Sequence, residues 1–119
     1  MASKNTNIDW QLCLKRASND PEIARTILTM FIADLDEAFP EIRKAWEEEQ
    51  YSVLKTCIHK LAGGSCYTGT PRIAAVLGEL NIAINSSPHS VLLGSLFRQF
   101  TNAYRALHRH FDKNTFEED

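Results

Sequence analysis

The sequence predicts an all-α protein that folds as an antiparallel four-helix bundle with a short extra helix at its N-terminus. Three observations lead to this prediction. Apolar residues recur every three or four positions in four long segments, as they do along one face of a helix. Aspartate–proline and threonine–proline pairs stand where helices would begin. No segment alternates apolar and polar residues over a useful length, so we predict no strand.

The predicted elements belong to one domain. We expect residues 1–7 to form a disordered tail, residues 8–112 to form the helical domain and residues 113–119 to form a polar C-terminal tail. The short first helix covers residues 8–17, and its apolar face includes Cys13. A chain of 119 residues is long enough to bury one core without disulfides or a structural metal.

The second predicted helix is the longest, at about residues 21–49. Asp20 provides a capping side chain, and Pro21 suits the first helical position because that position needs no N–H donor. The apolar stripe continues in phase through Pro40. We therefore predict a single helix that is kinked near this proline, with two helices and a break before it as the alternative.

Three more helices complete the predicted bundle. The third covers about residues 51–66. The fourth begins at Thr70-Pro71, again a cap followed by a first-turn proline, and ends at Ser86-Ser87-Pro88. The last begins there and carries apolar residues at intervals of three and four from Leu92 to Phe111.

Composition excludes several functional classes. The net charge is −2, so no basic field is available to recruit nucleic acid or an anionic membrane. No apolar run approaches a membrane span, and the polar first residues do not resemble a signal peptide. Three cysteines without a C-x-x-C spacing argue against a disulfide framework or a zinc site. We expect a cytoplasmic domain without direct membrane contact.

The third helix holds the most informative residues. At roughly 100° per residue, His59 points away from an apolar or small face formed by Leu54, Cys57, Ile58, Leu61 and Ser65. Lys55 lies one turn before His59, and Gly63 lies one turn after it. A glycine inside a helix costs about 1 kcal/mol relative to alanine. Close approach of a partner to the imidazole would explain that cost; fraying at Gly63-Gly64, with the helix ending by Gly69, is the alternative.

These residues resemble a known family. The pattern His-x-Leu-x-Gly-x5-Gly is formed by His59, Leu61, Gly63 and Gly69, and it is similar to the pattern of histidine-containing phosphotransfer (HPt) domains. The resemblance extends over roughly residues 8–110 and is closer to the C-terminal HPt domains of BarA/GacS-type hybrid sensor histidine kinases. The segments that look like that subgroup are Ile8-Asp9-Trp10, His59-Lys60-Leu61 and Tyr67-Thr68-Gly69-Thr70-Pro71-Arg72.

Two positions depart from the family pattern. Ala62 stands where a lysine is often found three residues after the histidine, which leaves Lys55 and Lys60 as the candidate phosphate-facing cations. Asn81 stands where an acidic residue often follows Leu80, a change that concerns packing more than chemistry.

The resemblance implies a histidine phosphotransfer module of a two-component phosphorelay. It would accept a phosphoryl group from a receiver-domain aspartate onto His59 and pass it to a response-regulator aspartate. The supporting residues would be Lys55, Lys60 and Gly63, and the docking surface would include Thr56, Ala62 and Cys66. No cofactor is expected on this chain, because the receiver would hold the Mg²⁺. The glycines lack the Gly-Lys-Ser/Thr ending of a phosphate loop, so we expect no ATP-dependent kinase activity.

Several alternatives remain open at this point. A helical bundle that docks receiver domains without phosphotransfer is one, and a dimerisation helix pair of a histidine kinase is another. We expect the isolated domain to be a monomer. His108 and His110 are two residues apart, which is poor metal-binding geometry on a helix, and we expect His89 to be solvated. Arg72 lies either near the docking site or in a pair within its own helix.

Overall fold

The computed structural model describes residues 5–87 and 90–118, and this part of the chain is helical throughout, with no strand. Its elements in chain order are α1 (Trp10–Arg16), α2 (Pro21–Glu47), α3 (Tyr51–Ser65), α4 (Pro71–Ser86), α5 (Val91–Asp112) and a short 3₁₀ helix at Phe116–Glu118. The all-α prediction is therefore confirmed. His89, which we expected to be solvated, lies outside the described residues.

Side-chain caps set the beginnings of the first two helices. The Asp9 carboxylate accepts a hydrogen bond from the Leu12 N–H at 3.2 Å. The Asp20 carboxylate accepts from the N–H groups of Glu22 and Ile23 at 3.0 and 3.2 Å. Each cap satisfies backbone donors that have no partner inside the helix. Helix α2 therefore begins at Pro21 as predicted, whereas α1 begins at Trp10, two residues later than predicted, because Asp9 caps it from outside.

The long second helix runs without interruption through Pro40, as one helix rather than two. It ends in a Schellman motif. Glu49 adopts a left-handed backbone with φ of 54°, and the N–H of Gln50 donates to the Ala45 carbonyl at 2.8 Å. This arrangement satisfies carbonyls at the helix end and turns the chain toward α3.

The four long helices form an antiparallel bundle in which α3 packs between α2 and α4, and α4 packs between α3 and α5. Aromatic side chains join α5 to α2. Trp46 stacks on Phe97 with ring centroids 4.7 Å apart, and Phe39 lies 4.4 Å from Tyr104. The largest fully buried side chains of the bundle are aliphatic or aromatic: Leu28, Leu35, Ile42, Leu54, Ile58, Ile73, Leu77, Leu80, Ile84 and Phe100.

Both ends of the described chain contact the helical domain, although we predict tails there. The predicted polar tail at 113–119 contains Phe116, which is only 2% exposed and stacks against Phe111. Trp10 meets Phe116 edge-on with ring centroids 5.6 Å apart. One apolar side chain in a polar segment carries no periodicity, so no sequence pattern marks this contact. At the other end, Thr6 accepts a backbone hydrogen bond from Arg72 at 3.0 Å, although we expected 1–7 to be disordered.

Candidate functional site

His59 projects from the middle of α3 and is exposed. The helix is held in the core by Ile58 and Leu61, which are 0% and 3% exposed. Because successive residues on a helix point about 100° apart, burying these two neighbours directs the imidazole outward. Helix α3 is therefore a rigid support that presents one histidine ring to solvent.

The two flanks of α3 face different helices. A Cβ at Gly64 would lie 3.6 Å from the Phe31 ring of α2, and Lys60 shares a depression with residues of α2. The flank on the other side carries Lys55 and Ala62, which are half-buried. His59 lies between these flanks, on the outer surface of the helix. Lys55 and Gly63, one turn before and one turn after it, lie on the same side of the molecule.

Gly63 leaves the space beside the imidazole open. A Cβ placed on this residue would meet no atom within 4 Å, so the bundle does not need a glycine here for packing. Helix α3 also continues through Gly63 and Gly64 to Ser65, so it does not fray at the glycines. The surface one turn after the imidazole is therefore free of side-chain atoms.

Two lysines provide positive charge near His59. Lys60 is exposed and Lys55 is half-buried. Among the described residues, neither ammonium group has a carboxylate within ion-pair distance. Lys60 lines a depression of about 100 Å³ whose other walls include Asp34, Glu37 and Glu41. Lys60 therefore lies beside three carboxylates of α2 without forming an ion pair with any of them.

Two of the other predicted docking residues, Thr56 and Cys66, have their polar groups engaged within α3. The Thr56 hydroxyl donates to the Ser52 carbonyl at 3.2 Å, one turn earlier in the same helix. The exposed Cys66 thiol donates to the Ala62 carbonyl at 3.5 Å. The structure brings Thr56, Ala62 and Cys66 to the surface around His59.

Gly69, the second glycine of the pattern, is closely packed, unlike Gly63. A Cβ on Gly69 would lie 2.5 Å from the Asp9 carbonyl oxygen and 2.6 Å from both the Cys13 nitrogen and its sulfur. The Asp9 N–H donates to the Gly69 carbonyl at 2.8 Å. Gly69 therefore packs directly against the beginning of α1, where a side chain would not fit.

Buried hydroxyls beside Gly69 were missed from the sequence. Thr68 and Thr70 are 5% and 1% exposed, and their hydroxyl oxygens are 2.7 Å apart. Thr68 also donates to the Ser65 carbonyl at 3.2 Å. The prediction that Thr70 caps α4 with its side chain is wrong, because its hydroxyl is engaged by Thr68. The only signal in the sequence is the Thr-x-Thr spacing around the glycine.

Arg72 contacts the N-terminal segment, which neither of our two alternatives foresaw. Its backbone N–H donates to the Thr6 carbonyl at 3.0 Å, and its guanidinium lies 3.5 Å from the Asn7 side-chain oxygen. It also lines a depression that α4 shares with Gln99 and Asn102 of α5. The contacts with Thr6 and Asn7 join the beginning of α4 to the N-terminal segment.

The cysteines divide by burial. Cys13 is 3% exposed, and burial raises the pKa of its thiol. Cys57, which the sequence places on the apolar or small face of the third helix, is only half-buried because it lies at the edge between α2 and α3. Burial, followed by the nearby Glu41 carboxylate, raises the pKa of the Cys57 thiol.

The described residues hold neither a metal-binding cluster nor a membrane-spanning helix. Within 5–87 and 90–118, no three His, Cys, Asp or Glu side chains are grouped so as to hold a metal ion. None of the helices described there combines the length and apolar character needed to cross a membrane.

Comparison with known proteins agrees with this geometry. The fold, a four-helix bundle with an exposed histidine on α3, is of the kind that this comparison identifies. The family model for the Hpt domain matches residues 26–110, and the chain belongs to this family. Its function is histidine phosphotransfer in a phosphorelay.

Individual relatives point in the same direction. The signal transduction histidine-protein kinase BarA of Escherichia coli K12 is 35% identical over 77 residues, and BarA of Shigella flexneri is 33% identical over 73. These matches cover 61% of this chain but only 8% of each kinase. A crystal structure of the HPT domain from a sensor hybrid histidine kinase of Shewanella matches with a TM-score of 0.71. That match covers 89% of this chain and 94% of the other at 24% identity, so it shows the fold.

Proposed function

We propose that His59 is the residue that carries the phosphoryl group, receiving it from a receiver-domain aspartate and passing it to a response-regulator aspartate. The observation that supports this most directly is the open position at Gly63, where a Cβ would meet nothing within 4 Å. It lies one turn from an exposed imidazole on a helix that is otherwise packed against two neighbours. A partner loop can therefore reach the ring without any change in the bundle.

The transfer step follows from the chemistry of an exposed imidazole. In the neutral ring, the lone pair of Nε2 attacks the phosphorus of the acyl phosphate while Nδ1 retains the proton. The new P–N bond forms as the P–O bond to the aspartate breaks, and the aspartate leaves as a carboxylate. Phosphoryl transfer depends on positioning and on charge stabilisation. The receiver, with its own Mg²⁺, supplies the acidic pocket; this chain supplies the nucleophile.

The surrounding residues have supporting roles in this proposal. The ammonium groups of Lys55 and Lys60 offset the charge of the phosphoryl oxygens, a role for which charge-assisted contacts are well suited. Gly63 gives access, and Thr56, Ala62 and Cys66 form the surface on which the receiver docks. With Ala62 in place of a lysine, no cation lies three residues after the histidine on the same face, so Lys55 and Lys60 take that role.

The setting of the domain is part of the same proposal. HPt domains of hybrid kinases work with receiver domains, and we propose that this domain acts as a monomer between two of them in the cytoplasm. The similarity to BarA supports a hybrid sensor kinase system as the context. No ATP-dependent kinase activity of its own is proposed.

The test uses intact mass. The domain is incubated with a small phosphoramidate donor and then with a phosphorylated receiver, alongside His59→Gln and the matched control His110→Gln on α5. The wild type and the control should each gain one acid-labile phosphate, and His59→Gln should gain none. Phosphate on His59→Gln would show that another residue is the acceptor. Receiver binding without any phosphate on the wild type would instead favour the non-catalytic docking bundle.

A further inference from the structure

The imidazole of His108, on α5, lies between two carboxylates on the face where α5 meets α2. Its Nδ1 is 2.9 Å from Oδ2 of Asp112, one turn later on the same helix. Its Nε2 is 3.1 Å from Oδ1 and 3.2 Å from Oδ2 of Asp36 on α2. The Tyr104 hydroxyl donates to the same Asp36 carboxylate at 2.5 Å. These four side chains are called the α2–α5 clasp below.

The clasp has the geometry of a protonated histidine. A carboxylate only accepts hydrogen bonds, and a neutral imidazole has one N–H donor and one lone pair. With the neutral ring, one nitrogen would point its lone pair at carboxylate oxygens about 3 Å away. The imidazolium has two donors and satisfies both carboxylates at once. The distances to Asp36 and Asp112 are therefore those expected when His108 carries its second proton.

The clasp also acts at a weak point of α2. In an uninterrupted helix, the N–H of residue 40 would donate to the carbonyl of residue 36. Proline has no N–H, and its ring crowds that carbonyl. Pro40 therefore removes the backbone hydrogen bond at Asp36, the residue that the clasp holds. The contact with α5 replaces support that the helix lacks at this turn.

We propose that the α2–α5 clasp is a pH-sensitive device, which holds the Pro40 turn of α2 to α5 while His108 is an imidazolium and releases it when His108 loses that proton. The turn of α2 that the clasp holds is next to the surface around Lys60. Glu37 and Glu41, on the same stretch of α2, line the depression that contains Lys60. Release of the clasp therefore loosens the wall of the surface on which a receiver would dock.

The negative charges around the His108 ring favour its protonated form, as this device requires. The groups that the described structure places against His108 are Asp36 from α2, and Asp112 and Tyr104 from α5. The hydrogen bond with Asp112 raises the pKa of His108, partial burial lowers it, and Asp36 raises it further, with a net increase. Burial and the hydrogen bond to Asp36 raise the pKa of Tyr104 to about 12, so this hydroxyl stays a donor across the working range.

The pH dependence has a definite direction. A group whose pKa is higher in the folded state stabilises the fold fully below its unfolded pKa, which is about 6.5 for histidine. The contribution is lost as pH rises through the folded pKa. The side chains are partly exposed, at 35% for His108 and 45% for Asp36. Solvent therefore screens the interaction, and we expect an effect of modest size.

Two measurements on the full domain test this device. Ring NMR of His108 should show both nitrogens protonated at pH 6, with a titration midpoint above that of free histidine, and Asp36→Asn should lower the midpoint. A midpoint at or below the free value, or one that Asp36→Asn leaves unchanged, would overturn the proposal. The resonance can be assigned with His108→Gln.

The second measurement follows stability and local opening against pH. The wild type should melt about 3 °C above His108→Gln at pH 6, and this difference should disappear at pH 9.5. Amide exchange at residues 36–44 should accelerate over the same pH interval in the wild type, more than in α4. A melting difference that does not change with pH would mean that His108 only fills space. Neither outcome depends on phosphorylation of His59, so the device and the proposed function can fail separately.

Discussion

The two glycines of the His-x-Leu-x-Gly-x5-Gly pattern should respond in opposite ways to the same substitution. In Gly69→Ala, the new methyl group would lie 2.5 Å from the Asp9 carbonyl oxygen and 2.6 Å from the Cys13 nitrogen. These are backbone atoms that cannot rotate away, so α1 has to move. In Gly63→Ala, the methyl group would meet nothing within 4 Å.

The expected magnitudes follow from these contacts. Overpacking in a well-packed site costs about 1–3 kcal/mol, and moving α1 also weakens the 2.8 Å hydrogen bond from Asp9 to Gly69, with a net value of about 1 kcal/mol. We expect Gly69→Ala to lower the free energy of unfolding by about 3 kcal/mol, or roughly 10 °C in Tm. We expect Gly63→Ala to raise it by about 0.5 kcal/mol, because alanine favours helix and the position is near the end of α3.

The assay is urea and thermal unfolding followed by circular dichroism, combined with phosphorylation of each variant by a small donor and by a receiver. Gly69→Ala should retain its transfer rate per folded molecule at low temperature. Gly63→Ala should accept phosphate from the small donor but more slowly from the receiver, because the methyl group stands where the partner approaches. Equal stability of Gly69→Ala and the wild type would refute the conclusion that Gly69 packs against α1 without room for a Cβ. Unchanged receiver transfer in Gly63→Ala would refute the access argument.

Four further predictions concern other parts of the chain. Asn81→Leu should raise the free energy of unfolding by about 1 kcal/mol in urea titration, because the buried Asn81 Oδ1 has no hydrogen-bond partner among the described residues; a loss would show that this oxygen is satisfied in solution. Phe116→Ala should lower the free energy of unfolding by about 2–3 kcal/mol, since this side chain is 2% exposed, and a smaller loss than that of a surface control would count against its docking. Glu49→Gly should stabilise by about 0.5–1 kcal/mol in thermal unfolding, because glycine adopts the left-handed φ of 54° without a Cβ penalty. A thiol reagent followed by peptide mapping should modify the exposed Cys66 well before Cys13, which is buried and has a raised pKa; equal rates would contradict the burial of Cys13.

Local sequence signals predicted the helices because their causes are local. Asp20 and Pro21 define the start of α2 through a cap and a fixed φ, and the same residues appear in those roles in the structure. The apolar stripe also predicted that α2 would continue through Pro40. Period and caps act within a few residues of each other, so a linear reading is enough to find them.

Contacts between residues that are distant in sequence could not be predicted from these local signals. Three contacts join parts of the chain that are far apart in sequence: Phe116 with Trp10, Gly69 with Asp9 at the start of α1, and His108 with Asp36. No local pattern marks any of these contacts. Gly63 and Gly69 look alike in the motif, and only their surroundings in the bundle show that Gly63 borders open space whereas Gly69 packs against α1.

The sequence by itself determined the helical class, the order of the helices and the identity of the exposed histidine, because helical periodicity and capping are properties of short segments. The tertiary structure alone decided what surrounds His59. Packing α3 between α2 and α4 turned Cys57 and Lys60 toward an acidic stretch of α2 and left Gly63 facing open space. Such surroundings depend on how helices meet across the bundle, and side chains brought together by burial need have no relation in sequence.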